Sequence, residues 1–108
     1  DFTYIEDVIN YIDACLKKIK SNNNFFDFFN IGDEKSISVN QLIKIIEKTA
    51  KIKANIILEK KIKLDPDRSL ANMKKINKFV NKQFKTKFDI GIKKTSDWVF
   101  KNKDLFTI

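Results

Sequence analysis

The chemistry open to this chain centres on a short charged loop, Lys60 to Ser69, which holds its only arginine and its only proline. Arg68 stands beside Asp67 and close to Asp65, Lys63 and Lys61. A planar guanidinium grips phosphate oxygens bidentately, which a lysine ammonium cannot. The same side chain reads equally well as a surface arginine paired with Asp65 or Asp67. Most other site chemistry is excluded by residue type. There is no histidine, and Cys15 is the single cysteine, so ordinary zinc sites and histidine-based triads are ruled out. Asp65 and Asp67 are too sparse for a calcium loop. One cysteine forms no intramolecular disulfide. With no signal-like first residues, that points to a reducing, cytoplasmic setting.

Composition narrows the partners. At 108 residues and 12.7 kDa the chain is one small domain, with a modest buried fraction. Its 43% hydrophobic content argues against wholesale disorder. The net charge of +8 suits an anionic partner such as nucleic acid, a lipid surface or phosphate groups. A plainer cause is compositional bias. All but one of the 22 basic residues are lysine, Ile and Asn are abundant, and the lysines are spread along the chain as on a solvated surface. That favours no nucleic-acid partner. No apolar run approaches the roughly 20 residues that cross a bilayer, so no membrane role is expected.

Few residues punctuate the chain, so long regular elements are expected to position the loop. Glu6 to Lys20 reads as a helix. Its apolar stripe is Val8, Ile12, Cys15, Leu16 and Ile19, and Cys15 reads as a packed thiol. Asp7 fits a cap or the first turn. Ser21-Asn22-Asn23-Asn24 reads as a polar loop. Phe25 to Ile31 fits a buried strand, with Asn30 bonding backbone at its end. Gly32 to Lys35 turns the chain. Ser38 and Gln41 form a capping box for a second helix with Val39, Leu42, Ile43, Ile46 and Ala50 inward. Asn55 to Leu58 is a short strand candidate. Asn72 is placed to cap a helix from Met73 to about Val80. Asp89 is placed to cap a last helix to about Asn102, with Trp98 and Val99 facing a core.

Four stretches, in order, carry a resemblance to a known family. Asp1-Phe2-Thr3-Tyr4-Ile5-Glu6-Asp7-Val8 resembles the Arg-Asp-Phe-x-Tyr-[Ile/Val]-x-Asp-[Val/Ile] segment of extended short-chain dehydrogenase/reductases that act on nucleotide sugars. The arginine of that segment would precede Asp1. Phe29-Asn30-Ile31-Gly32, followed by Ser38-Val39-Asn40-Gln41-Leu42, is similar to that family's strand end and the helix start after it. Asp65 to Asn72 resembles its Gly-Asp-x-x-x-Ser-x-Ala-Asp loop. Lys87 to Ile92 with Thr95 and Trp98 resembles its terminal helix. The wording is most similar to nucleotide-sugar 4-epimerases, including those acting on uridine diphosphate hexuronic acids.

The resemblance implies a C-terminal substrate-binding part, over residues 1–108, of an NAD-dependent epimerase or dehydratase. Its fold class would be α/β, here a mostly helical α+β fragment lacking most of the Rossmann domain. In such enzymes NAD lies on a glycine-rich turn, and a Tyr-x-x-x-Lys tyrosine acts as base while hydride moves to the nicotinamide. This chain has only Gly32 and Gly91, and Val8 and Cys15 stand four places after Tyr4 and Tyr11. No catalytic residue is therefore assigned, no cofactor is expected on this chain alone, and NAD belongs to the full-length enzyme. The resemblance gives Arg68 to a substrate diphosphate and Asp65 to its ribose. Lys63 or Lys61 would stand in for the arginine missing from the usual Arg-Pro-Gly-Asp wording. The implied partners are a nucleotide-sugar substrate and an N-terminal Rossmann domain. Self-association through an apolar patch at the phenylalanines 25, 26, 28 and 29 is a further expectation. Trp98 reads as a core anchor rather than a sugar platform.

Two other readings compete. A small basic module could bind single-stranded nucleic acid by charge and stacking, but its aromatics cluster instead of alternating with base. A helical protein-interaction domain without a ligand is the third.

Overall fold

The computed structural model describes residues 1–20, 24–60 and 62–106. Residues 21–23 of the expected polar loop, and Lys61, lie outside the described residues. The described residues form four α-helices, α1 (Ile5–Ile19), α2 (Val39–Ala50), α3 (Lys74–Val80) and α4 (Phe88–Lys101), with a 3-10 turn at Lys103–Leu105. They fall into two compact units. The first comprises Asp1–Ser36 and Asp67–Thr86, and the second Ile37–Pro66 and Lys87–Ile108.

The first unit packs α1 on α3. Glu6 and Asp7 in the first turn of α1, and Lys17 and Lys18 in its last, complement the helix dipole. Its core is Tyr11, Met73 and Ile76, joined by Cys15, Phe29, Ile31, Ala71, Val80 and Phe84. Tyr11 is 1% exposed. Its hydroxyl donates to Asn77 Oδ1 at 2.5 Å and accepts from the Phe84 N–H at 3.2 Å. Its ring meets Phe84 edge-on, centroids 4.9 Å apart. The inward face of α1 is thus Val8, Tyr11, Cys15 and Ile19, whereas Ile12 and Leu16, expected inside, are exposed. Burial pushes the Cys15 thiol up, which keeps it protonated and inert.

In the second unit, α2 packs on α4. The expected capping box is present: Ser38 Oγ accepts from the Gln41 N–H at 3.2 Å, and Gln41 Oε1 accepts from the Ser38 N–H at 3.0 Å. Lys51 closes α2 in the left-handed conformation, φ 57°. Leu42, Ile43 and Ala50 are half-buried, while Val39 and Ile46 stay exposed.

Three expectations are corrected here. Among the described residues there is no strand, so the α/β class is not realised and the chain is a helical array. Phe25 to Ile31 carries no regular secondary structure: Phe25 stacks on Phe79 and Phe29 meets it at a tilt, while Phe26 and Phe28 are exposed. A strand forms only when a neighbour completes its hydrogen-bond ladder, and none does so among the described residues. Asn55 to Leu58 likewise has no regular secondary structure, and Ile56, Ile57 and Leu58 are exposed. Second, α4 begins at Phe88 after Lys87, so Asp89 lies inside its first turn rather than capping it. Asn72, by contrast, does bind the start of α3, its Oδ1 accepting from the Lys74 N–H at 3.1 Å. Third, Trp98 is 52% exposed, its ring edge-on to Phe106. It anchors a short apolar turn instead of a core.

No helix among the described residues is long and apolar enough to cross a membrane.

Candidate functional site

In the first unit, three chain segments converge on an open cleft of about 530 Å³. It is lined by Asp1, Thr3, residues 29–31 and residues 69–71. The Asp1 carboxylate ties them together. Its Oδ1 accepts from the Asp33 N–H at 2.7 Å and from Thr3 Oγ1 at 3.1 Å, and its Oδ2 accepts from the Ala71 N–H at 2.7 Å. Charge-assisted bonds to backbone amides are the strong kind, so this carboxylate sets the spacing of three loops.

Gly32 makes that spacing possible. A Cβ there would lie 2.5 Å from Ala71 Cβ and 2.8 Å from Asp1 Oδ2. The glycine makes room for the chain's own atoms, not for a phosphate. Gly91 is buried within α4, and its carbonyl accepts from Thr95 Oγ1 at 2.9 Å. Neither glycine forms the backbone cradle that a dinucleotide pyrophosphate needs, and no step through NAD is derived from these residues.

Three further ties brace the first unit. Asp7, on α1, accepts from the Thr86 N–H at 2.7 Å and from Thr86 Oγ1 at 2.9 Å. Lys85 bridges to Asp33 at 2.9 Å, and that bond holds the Lys85 ammonium above its usual range. Lys75 bonds both the Asp27 carboxylate and the Phe28 carbonyl, fixing the aromatic segment onto α3. The Lys75 bond holds the Asp27 carboxyl below the ordinary carboxylate range. Asn30 lies exposed on the cleft wall.

The sequence-predicted site residues fall on either side of the boundary between the two units. Arg68 lies in the first unit, one residue before the cleft wall at Ser69, and is exposed. Lys63 and Asp65 lie in the second unit and are exposed. Asp65 ends a turn in which its N–H donates to the Ile62 carbonyl at 3.0 Å. The second unit has its own basic hollow at the end of α2, lined by Lys44, Glu47, Lys48, Lys51, Ile52 and Lys53. Glu47, one of its lining residues, accepts from the Ala54 N–H at 3.0 Å. That N–H, with Lys53 3.6 Å away, holds the Glu47 carboxyl below its usual value.

Sequence reasoning did not find the Asp1, Asp7 and Tyr11 ties. Their partners lie 70, 79 and 66 residues away along the chain, where no local spacing rule reaches. No group of metal-ligating side chains occurs among the described residues.

Comparison with known proteins adds two relatives. The chain is 31% identical over 106 residues to a UDP-glucuronate 4-epimerase of Thermodesulfobacterium geofontis, a match covering 97% of this chain and 31% of that enzyme. It is 32% identical over 104 residues to the uncharacterized protein MJ1055 of Methanocaldococcus jannaschii, covering 96% of this chain and 31% of that protein. The chain thus spans about a third of the length of the curated relatives it matches. No family model matches it, and no solved structure does.

Proposed function

We propose that this chain is the C-terminal, nucleotide-sugar-binding part of a longer NAD-dependent epimerase or dehydratase, acting on a nucleotide-activated sugar through a keto intermediate. The similarity to a UDP-glucuronate 4-epimerase carries the reading, because it runs along nearly the whole chain. In this proposal Arg68 takes the substrate diphosphate from beside the cleft, Asp65 the ribose hydroxyls, and Lys63 supplies a point charge to a phosphate oxygen. NAD and the catalytic tyrosine belong to the remainder of the enzyme. The nucleotide sugar would be the substrate, and self-association through exposed phenylalanines is part of the same proposal.

The experiment is to purify the native polypeptide that contains this segment and assay interconversion of UDP-hexuronic acids. Losing charge-assisted bonds worth about 1.5–3 kcal/mol, Arg68→Ala should raise KM roughly 10- to 100-fold. Arg68→Lys should fall between it and the unaltered protein. A native polypeptide without this activity, or a KM indifferent to Arg68→Ala, sinks the reading.

The rival basic module is disfavoured by how the lysines are used. Lys18, Lys75 and Lys82 lie over the rings of Phe79, Phe29 and Phe84 at 4.8–5.1 Å. Those ring faces are occupied by the chain's own cations rather than open to a stacked base.

A further inference from the structure

Lysines that look evenly spread along the sequence are gathered by the fold at the end of α2. Lys44, Lys48 and Lys51 stand four and three residues apart, a spacing that places them on one side of a helix. Lys51 is the left-handed residue that closes α2. A rise of about 1.5 Å per residue spreads the three stems over about 10 Å. Lys53 adds a fourth ammonium, and these four with Glu47 and Ile52 line a hollow of about 400 Å³. All four lysines are exposed, and Glu47 is half-buried.

This charge is poorly balanced from within. Glu47 is the one carboxylate lining the hollow, and both its oxygens are engaged. Oε1 accepts from the Ala54 N–H at 3.0 Å, and Oε2 lies 3.6 Å from Lys53 Nζ. Lys44, Lys48 and Lys51 make no ion pair among the described residues. Lys17 and Lys93, by contrast, each pair one turn along their own helix, with Asp13 at 2.6 Å and Asp97 at 2.7 Å. Like charges at this helical spacing repel, and the carbonyls at a helix C-terminus offset only about half a charge.

We infer that this hollow is a binding site for a compact polyanion carrying two or more phosphoryl groups. The inference stands apart from the nucleotide-sugar reading, because no residue of the hollow belongs to the Lys60–Ser69 loop or the Asp1 cleft.

The lining selects that ligand. Ammonium groups act as point charges toward phosphate oxygens, while planar carboxylates are best met by arginine, which the hollow lacks. Three stems over about 10 Å reach further than a single phosphate extends. No aromatic ring lines the hollow, so a nucleic-acid strand finds no stacking surface there. Ile52 alone is too small an apolar face to enter a lipid surface. The volume lies in the range of small-ligand sites, about 300–1,000 Å³.

The test is calorimetric binding of inorganic triphosphate to the native polypeptide that contains this segment. Lys44→Gln, Lys48→Gln and Lys51→Gln together should weaken binding at least about tenfold. Lys74→Gln, Lys78→Gln and Lys101→Gln remove the same charge at exposed positions outside the hollow, and should change it less than about threefold. Arginine at 44, 48 and 51 should retain binding, which separates lost charge from a disturbed fold. Binding should also weaken as salt rises. Equal losses in the two glutamine variants overturn the inference and assign the affinity to the net charge of +8. So does a tenfold loss in Arg68→Ala, which moves the phosphates to the loop of the proposed function. Absence of binding, or tighter binding of a glutamate-rich peptide than of triphosphate, overturns it as well. A nucleoside triphosphate that binds no tighter than inorganic triphosphate supports the phosphate chain alone as ligand, and tighter binding supports a nucleotide. Turnover of UDP-hexuronic acids by the same preparation reads the proposed function separately. Triphosphate binding without turnover leaves the hollow and removes the nucleotide-sugar reading, and turnover without triphosphate binding does the reverse.

Discussion

Removing one oxygen atom from the first unit should cost a large part of its stability. Tyr11→Phe keeps the ring and its edge contact with Phe84 at 4.9 Å, and deletes only the hydroxyl. That hydroxyl donates to Asn77 Oδ1 at 2.5 Å and accepts from the Phe84 N–H at 3.2 Å. Asn77 is half-buried and can turn toward water. The Phe84 N–H sits against the core and cannot follow as easily. Losing two net bonds of about 1 kcal/mol each, with some desolvation left uncompensated at Phe84, gives an expected loss of about 2–3 kcal/mol. Urea unfolding followed by circular dichroism is the assay. With a slope of about 1–3 kcal/mol per molar, the midpoint should fall by about 1 M or more at unchanged slope. Combining Tyr11→Phe with Asn77→Ala should cost less than the sum of the two, because they share a bond. A loss below about 0.5 kcal/mol would refute the reasoning. It would mean that water replaces the hydroxyl at no cost, and that packing alone holds α1 to α3.

Gly32→Ala should destabilise the first unit by about 1–3 kcal/mol, because its Cβ would overlap Ala71 and force the Asp1 clamp open; an unchanged urea midpoint would contradict the close approach. Acid should unfold the protein through its carboxylates. Glu47 and Asp27 titrate lower in the fold than free, so the stability they add is present at neutral pH and lost as pH falls below about 5 through their folded values. Lys85 titrates higher in the fold, so its share holds below the ordinary lysine range and is lost only in strong alkali. Urea midpoints across pH should therefore be flat near neutrality and fall on the acid side, with a shallower fall for Glu47→Gln. Trp98 is the chain's one tryptophan and is half-exposed, so a neutral quencher should reduce its emission readily in the folded state. Quenching that appears only on unfolding would place it in a core after all.

Helix positions were legible wherever the signal is local. Ser38 and Gln41 answer each other across one turn, and their box is written in four residues. The start of α4 was misread because Lys87 provides no side-chain cap, so the nearest acidic residue looked like one. The site was less legible. Asp1, Asp7 and Tyr11 act on backbone amides and side chains brought close only by the fold, and nothing in their spacing announces it. Arg68 could be singled out by residue type, since it is the only arginine, but type does not say which side chains surround it.

The misreadings that remain share one physical cause. An apolar pattern records that a surface is covered, but not by what. On α1 one apolar arc has a buried side and an exposed side, and the stripe read from the sequence mixed them, taking Val8, Cys15 and Ile19 from one and Ile12 and Leu16 from the other. In residues 25–31 the apolar run divides by side: Phe25 and Phe29 lie on Phe79, while Phe26 and Phe28 face outward. That is the pattern of a strand covered on both faces, with its second face left open here. Asn55 to Leu58 is similar in the second unit, an apolar run whose Ile56, Ile57 and Leu58 are exposed. Each surplus falls on a segment that matches a protein about three times as long. Solubility selection alone would remove large exposed aliphatic side chains, which stabilise nothing in water. On three separate segments, then, an apolar pattern stands exposed in the fold, and the pattern alone does not name a partner for it.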